Sequence, residues 1–219
     1  MMCALCYWLT RLQPGGGKGF GLKTCRRRTD PRSTVLGMPH TPERRLLDVL
    51  LDSWDRNNTI LVNLLRAIPK AKLGIRAMEG SPSIAELLTH IHYVRLVFVF
   101  EDTPESASPV PAEEWLAEPD PDRIVQMLNH SAKVVRQAVK RAVETGTEMQ
   151  VHYDHLVLLL QHMLWHEGYH HGQIKLALTL AGQPLPNDAA GPVTWGVWMR
   201  KTPGSPKQMP EAALPISGQ

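Results

Sequence analysis

The sequence predicts an all-α protein, a four-helix bundle with a long connection between its second and third helices. Four segments carry apolar residues at three- and four-residue steps, each is bounded by helix start and stop signals, and no convincing run of strands interrupts them. No internal repeat of roughly 20 to 50 residues competes with this reading.

Thr41-Pro42 supplies an N-cap followed by proline at the first helical position, and Leu47, Leu50, Trp54, Leu61, Leu64 and Ile68 then line one face. The first helix is expected from Pro42 to Ile68, where Pro69 ends it. Asn57 falls where that stripe wants an apolar residue, so it is either an inward polar group or a solvated residue at the stripe's edge. Ser83-Ile84-Ala85-Glu86 is a capping box, in which the serine accepts one backbone N–H and the glutamate reaches back to another. It opens a helix from Ile84 to Glu101 whose inward face reads Leu87, His90, Ile91, Val94 and Phe98. His92, about 200° around the axis from His90, points elsewhere.

Residues 102–119 contain Pro104, Pro109, Pro111 and Pro119, a connection long enough for a crossover instead of a tight hairpin. Asp120-Pro121-Asp122 starts the third helix, with Ile124, Leu128, Val135, Ala138 and Ala142 inward and an end near Thr145-Gly146-Thr147. His130 lies near the edge of that stripe and reads as structural. The fourth helix is expected from Tyr153 to Ala181, stopped by Gly182-Gln183-Pro184. Its inward stripe is Leu156, Leu159, Met163, His166, His170, Gln173 with Ile174, and Ala177. Gly168 and Gly172 cost this helix about 1 kcal/mol each relative to alanine, which a close approach by another helix, within the chain or in a dimer, would explain. Trp195 and Trp198 read as packing residues over one end of the bundle.

The ends differ from this core. Residues 1–37 carry seven Lys/Arg against the single acid Asp30, with a GGGKGFG run and no helical period, and read as an unstructured basic extension. The bundle is expected over 38–201 and a loose proline-rich tail over 202–219. Once the extension is set aside, the remaining residues have a net charge of −3, which argues against a nucleic-acid reader. No stretch approaches the roughly 18 apolar residues of a membrane span. In the leading segment the apolar residues precede the arginines, the reverse of a signal peptide, so secretion is not expected and a cytoplasmic setting is. Cys3, Cys6 and Cys25 all lie in that segment, leaving the helical part without a thiolate ligand or cysteine nucleophile. Cys3-x-x-Cys6 with Cys25 and His40 is a weak zinc pattern, and the glycine run lacks the Gly-Lys-Ser/Thr ending of a phosphate loop.

The informative feature is a set of histidines where core packing would place leucine. His166 and His170 stand at i and i+4, about 6 Å apart along the axis, so their rings can converge on one ion. His90 is the best candidate for a third ligand from another helix, and three neutral imidazoles leave at least one coordination position open, as in catalytic sites. His166-Glu167-Gly168-Tyr169-His170 also spells the zinc-protease pattern HExxH, in which glutamate is the general base. Its extensions are missing: Gln173 and Leu176 stand where glycine and histidine would be needed, and the next downstream glutamate is Glu211 in the tail. Around the triad, Glu167 is either a surface acid or a partner to a ligand imidazole, with the surface reading preferred. Gln173 either orients a water on the ion or caps a buried polar contact. His162 is a candidate pocket base or fourth ligand, and His171 points away. Gln173, Glu167 and His162 are thus the candidate catalytic groups.

The segment SIAELLTHI, paired with HEGYHHGQIKLALTLAG near the end of a helical domain, resembles the DinB/YfiT-like family over about residues 40–200. His90 matches the family's histidine on the second helix, and His166, His170, Gly172 and Gln173 match its H-x-x-x-H-x-G-Q segment. The resemblance implies an up-down-down-up bundle, often a dimer, holding a divalent ion such as Zn²⁺ or Ni²⁺ through His90, His166 and His170. It further implies a metal-dependent transferase or related hydrolase acting on a small molecule, with a low-molecular-weight thiol as cosubstrate. Because the helical part lacks cysteine, the sulfur has to come from that cosubstrate. The other class open to such a sequence is a non-catalytic bundle in which a metal or polar network fixes helix register, serving as a binding or stress-response module.

Overall fold

The computed structural model describes residues 42–199, and the expected extension at 1–37, the Cys3/Cys6/Cys25/His40 set and the tail at 202–219 lie outside the described residues. Within them the protein is all-helical: α1 is Pro42–Arg66, α2 Ile84–Asp102, α3 Pro121–Thr145, α4 Leu156–Leu180 and α5 Asn187–Val193. Short 3₁₀ turns occur at Lys70–Lys72, Pro104–Ser106 and Trp195–Val197.

The start and stop chemistry acts as its residues suggest. Glu86 N–H donates to Ser83 Oγ at 3.3 Å and Ser83 N–H to Glu86 Oε2 at 2.6 Å, so two of the orphan donors of α2 are satisfied reciprocally. Asp120 accepts from Asp122 N–H at 3.1 Å to open α3, and Gly146, at φ 68°, closes it in the left-handed conformation that only glycine adopts cheaply. Two boundaries differ from expectation. At the end of α1, Ile68 N–H turns back to Leu65 O at 3.0 Å, a tightened last turn before Pro69. α4 begins at Leu156 instead of Tyr153, after a segment in which Val151 and His152 N–H donate to the buried Asp102 Oδ1 at 3.0 and 2.8 Å. His155 Nδ1 then accepts from Val157 N–H at 3.1 Å as the cap.

α2 packs against α3 and α4, α1 against α3 and α4, and α5 with its following turn against α1. Sequence analysis did not assign α5. It is fastened to α1 by Asn63 Nδ2 donating to Val193 O at 2.6 Å and Arg56 Nη1 to Val197 O at 2.8 Å. Trp195 and Trp198 are 59% and 42% exposed and lie beside Asn57 and Glu167 at mid-length of α1 and α4, so they cover a flank and not the end expected from sequence. A Cβ at Gly168 or Gly172 would meet nothing within 4 Å, so the close helix approach expected within the chain is not what these glycines serve.

The core consists of two apolar clusters. One gathers Leu51 and Trp54 from α1, Leu96 and Val99 from α2, Val135 and Val139 from α3, and Leu159 and Met163 from α4. The other gathers Leu61 and Leu64, Leu88 and Ile91, Ile124 and Leu128, and Ile174 and Ala177 from the same four helices. On α1, α3 and α4 the switch from one cluster to the other falls at a buried polar residue: Asn57, Ser131, and the run His166, Glu167 and His170. Arg95, fully buried on α2, lies at the same level. A polar layer therefore crosses the middle of the molecule, and every group in it has to find a partner there.

Candidate metal centre

His90 on α2 and His166 and His170 on α4 are 1%, 6% and 1% exposed, and one nitrogen from each lies within 4.8 Å of the others. The converging atoms are the Nε2 nitrogens: His166 Nε2 is 3.3 Å from His90 Nε2 and 2.9 Å from His170 Nε2. Two imidazole nitrogens each about 2.0–2.1 Å from a tetrahedral ion stand roughly 3.3 Å apart, so the spacing fits one divalent cation shared by the three rings. At His170 the far side of the ring agrees with that assignment. His170 Nδ1 is 2.7 Å from Gln173 Oε1, a carboxamide oxygen that can only accept, so the proton sits on Nδ1 and Nε2 keeps its lone pair. Gln173 itself is half-buried, and its Oε1 is spent on this contact with His170.

Burial keeps the three rings uncharged. Desolvation, then the neighbouring His170, pushes His90 down to about 3. Desolvation, then His170, His90, His162 and Arg95, pushes His166 down to about 2. His170 is lowered by burial, with the Gln173 hydrogen bond opposing. A cation arriving at pH 7 therefore meets neutral imidazoles and not imidazolium ions.

The same shifts set a pH dependence. An unfolded histidine titrates near 6.5, so below that the unfolded chain binds protons that the folded chain refuses. Stability is fully present above about pH 6.5 and falls below it by about 1.4 kcal/mol per pH unit for each histidine held neutral. His92, buried on α2 and lowered to about 4 chiefly by burial, adds to the effect. Denaturant titrations of the metal-free protein should show the midpoint falling steadily from pH 7 to pH 5. A flat midpoint would mean that the rings carry protons in the folded state.

Glu167 reverses the reading preferred from sequence. It is 1% exposed, and its carboxylate accepts from Arg95 Nε at Oε1 and Nη2 at Oε2, both at 2.7 Å, and from Asn57 Nδ2 at Oε2. The 100° step from His166 carries it into the polar layer and not to the surface, and so paired it is not available as the general base that HExxH requires. Asn57 is accordingly the inward polar group of its two readings. Arg95 completes the layer: Nη1 donates to Asn58 Oδ1 and Leu128 O, both at 2.9 Å, and the guanidinium lies 4.8 Å from the Trp54 ring. One side chain thus joins α1, α2, α3 and α4.

His162, half-buried one turn before His166, has its ring centroid 6.4 Å from that of His166 and its Nδ1 2.6 Å from the Tyr153 hydroxyl. His130 lies apart, 3.0 Å from Ser108 Oγ, and His92 sits beside it with centroids 6.2 Å apart. His171 lines a cavity of about 160 Å³ with Asn57, Glu167, Trp195 and Trp198, on the other side of α4. Sequence reasoning missed Arg95, Glu114, Trp115 and Tyr153. Glu114 and Trp115 both touch His90, through its Nδ1 and its ring face respectively. Only Arg95 left a signal, a charge within the apolar run of α2.

No helix among the described residues is long and apolar enough to cross a membrane. No curated protein and no solved structure matches the chain. The model of the DinB family matches residues 38–196, which span all five helices and the three converging histidines. The chain belongs to the DinB family.

Proposed function

We propose that the protein is a metal-dependent enzyme, a thiol-dependent S-transferase or related hydrolase that acts on a small molecule at a site held by His90, His166 and His170. The observation that carries the reading is the convergence of three neutral Nε2 atoms at 2.9 and 3.3 Å separations in a buried position. Zn²⁺ or Ni²⁺ suits an all-imidazole set, and a bound ion would supply Lewis acidity that lowers the pKa of a thiol or water presented to it.

The chain's own groups have separate tasks in this reading. Gln173 fixes the tautomer of His170, and the Arg95–Glu167 pair holds α4 at the level of the ligands. His162, with its ring fixed by Tyr153 at Nδ1, is the group beside the triad able to exchange a proton with substrate at Nε2. The proposal includes the up-down-down-up order of the four long helices, a cytoplasmic setting and a homodimer. The exposed side chains of Trp165, Tyr169, Leu176 and Leu180 on α4 offer a second copy an apolar surface.

The experiment is a turnover screen of zinc- or nickel-loaded protein with glutathione and other small thiols against a chromogenic aryl chloride. Thiol-dependent turnover that disappears in His166→Ala is the expected result. Deep burial of all three rings is what a purely structural metal site would also display. Absence of thiol consumption, combined with a sharp loss of stability on chelation, would assign the ion to that role instead.

A further inference from the structure

The connection between α2 and α3 folds back over the triad. Thr89 Oγ1 donates to Leu116 O at 2.7 Å, pinning this strap to α2 one residue before His90. The Trp115 ring lies flat on the His90 ring, with centroids 3.9 Å apart and planes within 3° of parallel. Trp115 is itself packed against the second apolar cluster. The neighbouring Glu114 places Oε1 3.0 Å from His90 Nδ1, the nitrogen opposite the one that faces His166.

Two consecutive residues therefore constrain one imidazole in different ways. The indole face stops the ring from tilting, and the carboxylate acts on its rotation within the plane of the stack. The Glu114 oxygen lies within hydrogen-bond distance but off the direction of the N–H, since the geometry makes no aligned hydrogen bond at Nδ1. Among the described residues, Glu114 is the one carboxylate set against a ring of the triad: His170 has a neutral carboxamide on Nδ1, and His166 Nδ1 is buried without a hydrogen bond. A carboxylate on the far nitrogen fixes the tautomer and makes Nε2 a stronger donor to a cation, while a cation on Nε2 strengthens the Nδ1–H···carboxylate bond. The two effects are reciprocal by linkage.

We infer that Glu114 is a positioning residue of the metal centre, and that the strap at residues 107–119 is fastened through His90, so that a bound divalent cation and the closed strap stabilise each other. The inference rests on the metal-site reading proposed above and adds to it a residue and the connection that carries it.

The test is competitive titration of the metal-free protein with Zn²⁺, and with Co²⁺ as a spectroscopic probe, for the wild type, Glu114→Gln, Glu114→Ala and Glu114→Asp. It is joined to hydrogen exchange over residues 107–119 with and without Zn²⁺. Zinc affinity should fall 10- to 100-fold in Gln and Ala and recover in part in Asp. The Co²⁺ visible bands should shift, and the thermal midpoint of the metal-free protein should stay near wild type in the isosteric Gln variant. Zinc should slow strap exchange in the wild type and not in the Ala variant. Wild-type affinity in both Gln and Ala, or strap exchange indifferent to zinc, would overturn the inference while leaving the metal site standing. A wild type that takes up no zinc would overturn both.

Discussion

Glu167→Ala is expected to destabilise the protein by about 3–5 kcal/mol, because it strands the guanidinium of a fully buried arginine with no counter-charge. The carboxylate takes two hydrogen bonds from Arg95, whose other donors hold α1 and α3, so its removal leaves a charge in the middle of the core with no counter-charge. Truncating both partners to apolar side chains of similar length, as in Arg95→Met with Glu167→Leu, should recover much of the loss, since no unpaired charge then remains. Denaturant unfolding of the two singles and the double checks this. A Glu167→Ala loss under about 1 kcal/mol would mean that the arginine finds solvent, which its burial contradicts.

His166→Ala should abolish retention of a divalent ion through gel filtration, taking the wild type from about one ion per chain to none. His166 is the middle donor, standing within hydrogen-bonding distance of both other rings, so its removal leaves two imidazoles to hold the ion instead of three. The second readout is stability. An ion present at about 100 times its dissociation constant adds roughly 2.7 kcal/mol to the wild type, and that increment should vanish in the variant. Metal content unchanged in both His166→Ala and His90→Ala would remove the basis of the proposed function.

Much of this was legible in the chain because the relevant signals are local. The capping box at Ser83, the Asp120-Pro121 start and the glycine at 146 act through neighbours two to four residues away, and helical period placed His90, His166 and His170 inward. The polar layer was only half legible. Asn57 and Glu167 each admitted a buried and a solvated reading, and what decides between them is Arg95, which lies 38 and 72 positions away. Periodicity reports which face a residue occupies, not which partner meets it, so a paired charge within an apolar stripe looks like a break in the pattern. Glu114 and Trp115 were illegible for a different reason. They lie in an irregular proline-containing connection, where no period says which side chains turn inward. The start of α4 was misplaced because His155 caps it, its Nδ1 accepting from Val157 N–H, and histidine is not among the residues that mark an N-cap in sequence.

X-ray absorption at the metal edge of zinc-loaded protein counts the ligands directly. Three imidazole nitrogens at about 2.0–2.1 Å with at least one further light atom from outside the protein is the expected result. A sphere closed by four protein atoms, or one containing fewer than three imidazoles, would contradict it.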